Sequence, residues 1–495
     1  MNQDPQSAPN LPTPIKSPIA ADWDALISAF TCPDWFRDAK FGVWSHWGPQ
    51  AVPGQGDWYA RWMYTQGHES YNYHCRTYGH PSKVGYKDVI AQWKAEKFDA
   101  EELLDLFARN GAKYFMGQAA HCDNFDNFDS KHHPWNSVNH GPKRDILGEF
   151  ARATRNAGLR FGFSEHLTWS YGWFNTNKGA DATGPFAGVP YDGNDPAYAS
   201  LYFEPHDDTE ASYPENPSDF FVENWRARLI DAIDQYEPDI FYTDGGIFEQ
   251  AGLDVMAHFY NRVAERNGTN DGVYTYKDLH TRRPGFDKYL GQYKAGAGIE
   301  DLEHGVLGGI MDEPWQTDTS TGPWYWNPTQ KYKSPRQVVH LLADVVSKNG
   351  NLLLNYTQRP DGSLDDETRW IVERVGDWLN MNGEAIYGTR PWQVYGEGPA
   401  NYAEGEMGLF DEIDFGGEDF RFTRNGETVY AIALGRPAAG QPWVIKALAG
   451  AAVADVAVLG QDGPVSWSMQ PDGLHVLPPS PLRGDLAWAI RVRPS

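Results

Sequence analysis

Asp244 closes a short apolar run, Asp239-Ile240-Phe241-Tyr242-Thr243, and two glycines follow it. A parallel strand buried on both faces reads as such a run, without polar alternation. The carboxylate therefore stands where a strand leaves a sheet and the chain must turn sharply. At the rim of a (β/α)8 barrel, that is where catalytic groups sit, and a carboxylate there is a nucleophile or base candidate. The alternative is an aspartate that caps the following helix or turn. A second set of chemically capable side chains is His121, Cys122, Asp123, His132 and His133. Its spacing matches neither a zinc finger nor two histidines and a carboxylate on one element, and Lys131-His-His-Pro134 reads as a loop. No metal and no cofactor are expected.

The elements that would position Asp244 alternate between about residues 35 and 385. Candidate strands are Phe41–Trp44, Tyr114–Met116, Leu159–Phe163, Ile240–Tyr242, Val273–Tyr276 and Leu352–Asn355. One helix between them spaces Val222, Trp225, Leu229 and Ile233 by three and four and ends at Glu237-Pro238. Another begins Ser334-Pro335-Arg336-Gln337, a serine cap with proline in the first turn and glutamine completing a capping box. Alternating strand and helix over this length predicts a (β/α)8-like barrel rather than an open sheet. Residues 178–217 lack helical period and read as an active-site rim loop. After about residue 395, alternating segments such as Thr428–Ala433 and Ala487–Val492 predict a C-terminal antiparallel β-sandwich. The expected division is an N-terminal extension at 1–22, a catalytic barrel at 23–394 and the sandwich at 395–495.

Composition narrows the partner. The chain has 495 residues, with 42 basic against 67 acidic ones and a formal charge of −25, which argues against nucleic acid or an anionic membrane. No run of about 18 apolar residues is present to span a bilayer. Met1–Pro18 is polar and proline-rich, without the apolar core of a signal peptide. The chain is thus cytoplasmic or lacks a removed signal, and a periplasmic or secreted location is the favoured expectation. Three cysteines cannot build a disulfide framework. Many of the 20 tryptophans and 26 tyrosines lie beside Gly, Pro, His and Asp, where their rings suit the C–H face and hydroxyl edge of a sugar. No Gly-x-Gly-x-x-Gly, Walker or His-Glu-x-x-His motif supports a nucleotide or zincin reading. Oligomeric state is open.

Several segments, in order, resemble glycoside hydrolase family 29, the α-L-fucosidases. They are Trp35-Phe-Arg-Asp-Ala-Lys-Phe-Gly-Val-Trp-Ser-His-Trp-Gly-Pro49, Asp57-Trp-Tyr-Ala-Arg-Trp-Met-Tyr64, Val346-Ser-Lys-Asn-Gly-Asn-Leu-Leu-Leu-Asn355 and Asn382-Gly-Glu-Ala-Ile-Tyr-Gly-Thr-Arg-Pro391. The resemblance implies a barrel followed by a sandwich and a retaining exo-α-L-fucosidase acting on oligo- or polysaccharides. It implies Asp244 as nucleophile and Glu303 as general acid/base, with Glu300, Asp301, Asp312 and Glu313 as competitors for the second role. A retaining pair stands about 5 to 5.5 Å apart, and the acid should be kept protonated by burial or a like charge. The resemblance further implies sugar contacts from His46, with Trp47 behind it, and from Trp58 and His121.

The chain departs from that family pattern at several pocket positions. Cys122 stands where a second histidine is common, Asp57 where glutamate is usual, and Tyr242 where a tryptophan precedes the nucleophile. Glu165 takes the place of a tyrosine that packs near the sugar's C6 methyl. A carboxylate against a methyl is an unpaired cost, whereas against a C6 hydroxyl it is a strong acceptor. An α-L-galactosidase is therefore the alternative expectation, alongside a sugar-binding barrel without catalysis. Glu165 paired with His166 or an arginine would leave fucose in place.

Overall fold

The computed structural model describes residues 18–211, 213–277, 292–406 and 412–495. Eight parallel strands close into a barrel: β1 (Phe41–Ser45), β2 (Tyr114–Ala120), β3 (Arg160–Glu165), β4 (Ile240–Thr243), β5 (Val273–Lys277), β6 (Ile299–Asp301), β8 (Trp315–Ser320) and β9 (Gly350–Asn355). The two-residue strand β7 (Gly305–Val306) stands outside the ring. Closure comes from β1 pairing with β9, Phe41 opposite Leu352 and Trp44 opposite Asn355.

The apolar runs mark β1 to β5 and β9, but β6 and β8 carry no such run. They hold Asp301, Gln316, Thr317 and Asp318, all buried. These polar side chains are satisfied inside the barrel: Gln316 Nε2 donates to Asp301 at 2.6 Å, and Tyr114 Oη donates to Gln316 Oε1 at 2.8 Å. Buried polar groups persist where they are paired, so hydrophobic periodicity does not reveal these two strands.

The helices follow their local signals. Asp219–Tyr236 buries Trp225, Leu229 and Ile233 and stops at Glu237, which adopts left-handed geometry at φ 45°. Pro335–Ser347 carries both halves of the Ser334–Gln337 capping box and buries Val338, Leu341, Leu342 and Val345. Residues 178–211 form a tied-down excursion after β3 rather than a loose loop. Asp181 there accepts from Tyr71, Tyr191 and His80, and Asp192 accepts from Tyr64 and Tyr202.

The C-terminal part is two antiparallel sheets. One has the order β10 (Arg390–Glu397), β12 (Phe420–Asn425), β13 (Thr428–Ala433), β18 (Trp488–Pro494) and β15 (Val453–Val458). The other is β14 (Trp443–Ile445), β17 (Gly473–Val476) and β16 (Trp467–Gln470). Phe420, Phe422, Trp443, Leu474 and Trp488 fill the space between them. The expected division after residue 394 falls inside β10. A short strand, β11 (Gly405–Glu406), reaches back to pair with β7 beside the barrel mouth. On the helix side, Arg421 Nε of β12 donates to Asp344 at 2.6 Å, and Lys348 Nζ donates to the same carboxylate at 2.7 Å, with all three side chains buried. Breaking such a pair from one side strands a buried charge, so this contact fixes how the sheets seat on the barrel. Among the described residues no helix is long and apolar enough to cross a membrane.

Candidate active site

The C-terminal ends of the barrel strands enclose a cavity of about 160 Å³, and its lining includes Asp244, Lys277, Glu303 and Asp318. Asp244 is the first residue beyond β4, and its backbone N–H donates to Glu165 O at 2.9 Å. The turn after it needs glycine. Gly245 has φ +102°, and a Cβ there would lie 2.0 Å from Trp169 Nε1. That indole donates to Asp244 O at 3.0 Å, so the glycine lets a tryptophan lock the Asp244 loop.

The charge arrangement centres on Lys277, the last residue of β5. Its Nζ lies 3.1 Å from Glu303 Oε2, 3.1 Å from Asp318 Oδ2, 3.5 Å from Asp244 Oδ1 and 3.9 Å from Asp301 Oδ1. Burial disfavours its ammonium, but Asp318, Glu303, Asp244 and Asp301 together raise its pKa well above the usual lysine value. Asp244 also accepts from His166 Nδ1 at 2.7 Å. Burial pushes the Asp244 carboxyl up, and Lys277 and His166 outweigh it, leaving the pKa below the ordinary value. Asp244 is therefore ionised and aimed, as a nucleophile must be. Glu303 is held on its other oxygen by Trp324 Nε1 at 3.2 Å, and its side chain stays 22% exposed.

The competing acids separate by position. Asp301 lies beneath Lys277, fully buried, and burial together with Asp318 drives its pKa well up. Asp312 and Glu313 are exposed, and they and Glu300 lie outside the cavity lining. Asp318 does line it, with both oxygens within 3.3 Å of Lys277 Nζ.

Of the expected sugar contacts, His46, Asp57, Trp58, His121 and Cys122 line the cavity. Burial and then His121, His166 and Lys277 hold His46 well below the ordinary imidazole pKa, and it is neutral. Both of its ring nitrogens lack a hydrogen-bond partner although the residue is 4% exposed. Buried unsatisfied nitrogens facing a cavity are ready for a ligand's hydroxyls. Burial, with Glu303, Asp244 and Asp123 beside it, raises Asp57 to about 8, against a hydrogen bond from Trp58 N.

Three expected contacts are not in the lining. Trp47 turns outward onto Trp93 and Phe98 and donates to Arg359 O at 2.9 Å. Tyr242 lies below Trp44 and points its hydroxyl at Asp318. Glu165 faces away, accepting from Leu167 N at 2.8 Å and Trp225 Nε1 at 3.3 Å. The strand alternates sides, so the next residue, His166, is the one that enters the cavity. The polar C6 contact expected of Glu165 is not formed.

His46, His121 and His166 each bring a ring nitrogen within 4.8 Å of the others, a spacing that could hold a metal ion. The hydrogen bonds around them argue otherwise. Ala60 N–H fixes Gln50 Oε1, so Gln50 Nε2 donates to His121 Nδ1 at 2.8 Å and the proton of His121 sits on Nε2. A ligating nitrogen needs its lone pair, so His121 is set to donate rather than to coordinate. Lys277, Asp318, Trp44, Trp169 and Trp324 were not foreseen in the site. Lys277 carried the same signal as Asp244, a charge ending an apolar strand.

A family model described as Alpha-L-fucosidase matches residues 10–384. Human tissue alpha-L-fucosidase is 27% identical over 491 residues, covering 95% of this chain and 91% of that protein. An alpha-L-fucosidase of Branchiostoma floridae is 25% identical over 497 residues, covering 96% and 95%. The Thermotoga maritima alpha-fucosidase, solved in complex with fucose, aligns with a TM-score of 0.73 at 26% identity, over 96% of this chain and 99% of its own.

Two outcomes follow from this geometry. Lys277→Met removes the strongest force lowering the Asp244 pKa, so the acidic limb of kcat/KM should move to higher pH, and an unmoved limb would contradict the ion pair. Glu165 has its pKa raised from 4.5 to about 8, chiefly by burial, against hydrogen bonds from Leu167 and Trp225. The folded state thus holds a proton that the unfolded chain releases above pH 4.5, and this stabilisation is lost as pH rises through about 8. Glu165→Gln should flatten that decline, a difference on the order of several kcal/mol by pH 8, without altering sugar preference. Parallel stability curves, or a changed preference, would show that Glu165 is placed elsewhere.

Proposed function

We propose a reaction from one premise: the chain belongs to the alpha-L-fucosidase family of glycoside hydrolases. The reaction is removal of a terminal α-L-fucosyl residue from an oligo- or polysaccharide by double displacement with retention. The observation that carries it is the shared anchor of Asp244 and Glu303. Oδ1 of one and Oε2 of the other lie 3.5 and 3.1 Å from the same Lys277 nitrogen. These two legs bound the separation from above and accommodate the roughly 5 to 5.5 Å of a retaining pair. The cavity volume, on the scale of one sugar ring, supports an exo mode.

In the first step an Asp244 oxygen attacks C1 from the β face, and the bond from C1 to the leaving oxygen breaks. Glu303 gives that oxygen its proton. One ammonium cannot neutralise four carboxyls, so the cluster retains protons, and Glu303, the most exposed of the four, is able to pass one outward. In the second step Glu303 takes a proton from water, whose oxygen attacks C1 and releases Asp244. Two inversions return the α anomer. Lys277 holds both carboxyls in place throughout and limits repulsion as their charges change. His46, His121 and Trp58 bind the sugar, neutral imidazoles meeting hydroxyls and the indole meeting C–H groups.

Asp244→Gly should lower turnover by several orders of magnitude, and azide should restore it on activated aryl α-L-fucosides with β-L-fucosyl azide as product. Glu303→Ala should spare the first step for good leaving groups and slow it for poor ones. NMR should find the α anomer first. A β anomer, or Asp318→Ala rather than Glu303→Ala carrying the leaving-group signature, would overturn the assignment.

A further inference from the structure

His166 is 3% exposed, lines the cavity, and uses only one of its ring nitrogens. Nδ1 is bound to Asp244 Oδ2 at 2.7 Å. Nε2 is buried without a hydrogen-bond partner. Ring packing and a backbone contact hold the residue. It stacks on Trp44 at 5.8 Å, lies 4.6 Å from the His121 ring between centroids, and its carbonyl receives Cys122 Sγ at 3.4 Å.

The tautomers of the two histidines are complementary. The hydrogen bond to Asp244 places a proton of His166 on Nδ1, and in the neutral imidazole tautomer this leaves a lone pair at Nε2. Gln50 keeps the proton of His121 on Nε2. One lone pair and one N–H are therefore offered by two rings that line the cavity with centroids 4.6 Å apart, each ring having a nitrogen within 4.8 Å of one on the other. A hydroxyl between the two rings would donate to one nitrogen and accept from the other at about 2.8 Å each.

We propose that His166 is a positioning residue that ties one ring hydroxyl of the sugar to the nucleophile. The hydroxyl donates to His166 Nε2 and accepts from His121 Nε2–H, while His166 Nδ1–H donates to Asp244. A sugar bearing that hydroxyl thereby strengthens the hydrogen bond that holds Asp244 ionised and aimed. Lacking it, the substrate leaves two buried ring nitrogens unpaired, a mismatch that polar pockets reject strongly. The inference rests on the α-L-fucosidase reading and adds a residue to which the family resemblance gave no role.

The experiment compares 4-nitrophenyl α-L-fucoside with its 2-, 3- and 4-deoxy analogues on wild type, His166→Asn and His166→Gln. An asparagine amide can replace Nδ1–H but not Nε2, and a glutamine amide can replace Nε2 but not Nδ1–H. Wild type should lose about ten- to a hundredfold in kcat/KM on one deoxy analogue. His166→Asn should lose as much on the parent and little more on that analogue, with its acidic limb unmoved. His166→Gln should keep the preference for the parent while its acidic limb moves to higher pH. Losses that multiply at every deoxy position, or identical behaviour of the two variants, would overturn the proposal. A second reading needs no variant: the 15N resonance of His166 Nε2 in wild type should shift with L-fucose and not with the critical deoxy sugar, and equal shifts would overturn it too. If folded wild type cleaves no α-L-fucoside, the functional reading itself fails and this one falls with it. Activity with additive losses removes only the role of His166.

Discussion

Lys277 places one ammonium among Asp244, Asp301, Glu303 and Asp318, buried at the end of β5. A lone buried charge of either sign would be costly, so none of these groups is independent of the others. The lysine is cationic because the carboxylates surround it, and Asp244 is ionised because Lys277 and His166 face it. The excess of carboxyls over cations keeps protons in the cluster, and catalysis by proton transfer requires such a store. A closed barrel supplies the geometry, since β4, β5, β6 and β8 are ring neighbours whose ends converge.

The polar interior of β6 and β8 has the same origin. Asp301 and Asp318 need hydrogen-bonding neighbours below the site: Gln316, itself held by Tyr114, donates to Asp301, and Tyr242 donates to Asp318. Aromatic rings then exclude water from the rim. Trp44 lies 5.3 Å from Trp324 between ring centroids, Trp324 holds Glu303, and Trp169 holds the Asp244 loop. The C-terminal sheets extend this support, because β11 pairs with β7 only two residues beyond Glu303.

Much of this was legible in the chain. Apolar runs located β1 to β5 and β9, and a serine cap with its glutamine located a helix start. The strand-end carboxylate marked the cavity. What stayed hidden depended on pairing that is long-range in sequence. Polar strands look like loops until Gln316 meets Asp301, and Lys277, although it ends an apolar strand as Asp244 does, gains its carboxylate partners only when the barrel brings Asp318 and Glu303 to it. Glu165 and His166 show the sharpest limit. Adjacent strand residues face opposite sides, so a one-residue uncertainty in register exchanges a buried structural acid for a cavity histidine. Trp47 is the same case, its ring turned toward the helical layer while His46 faces inward.

The direct test of the central claim is the site of covalent attachment. A fluorinated α-L-fucosyl fluoride that forms the glycosyl-enzyme quickly and releases it slowly should trap the first intermediate. Intact mass should rise by one fluorofucosyl group, and peptide mapping should place it on Asp244, within the segment Phe241–Gly246. Attachment at Asp57, Glu303 or Asp318, or turnover with no covalent adduct under trapping conditions, would contradict the account.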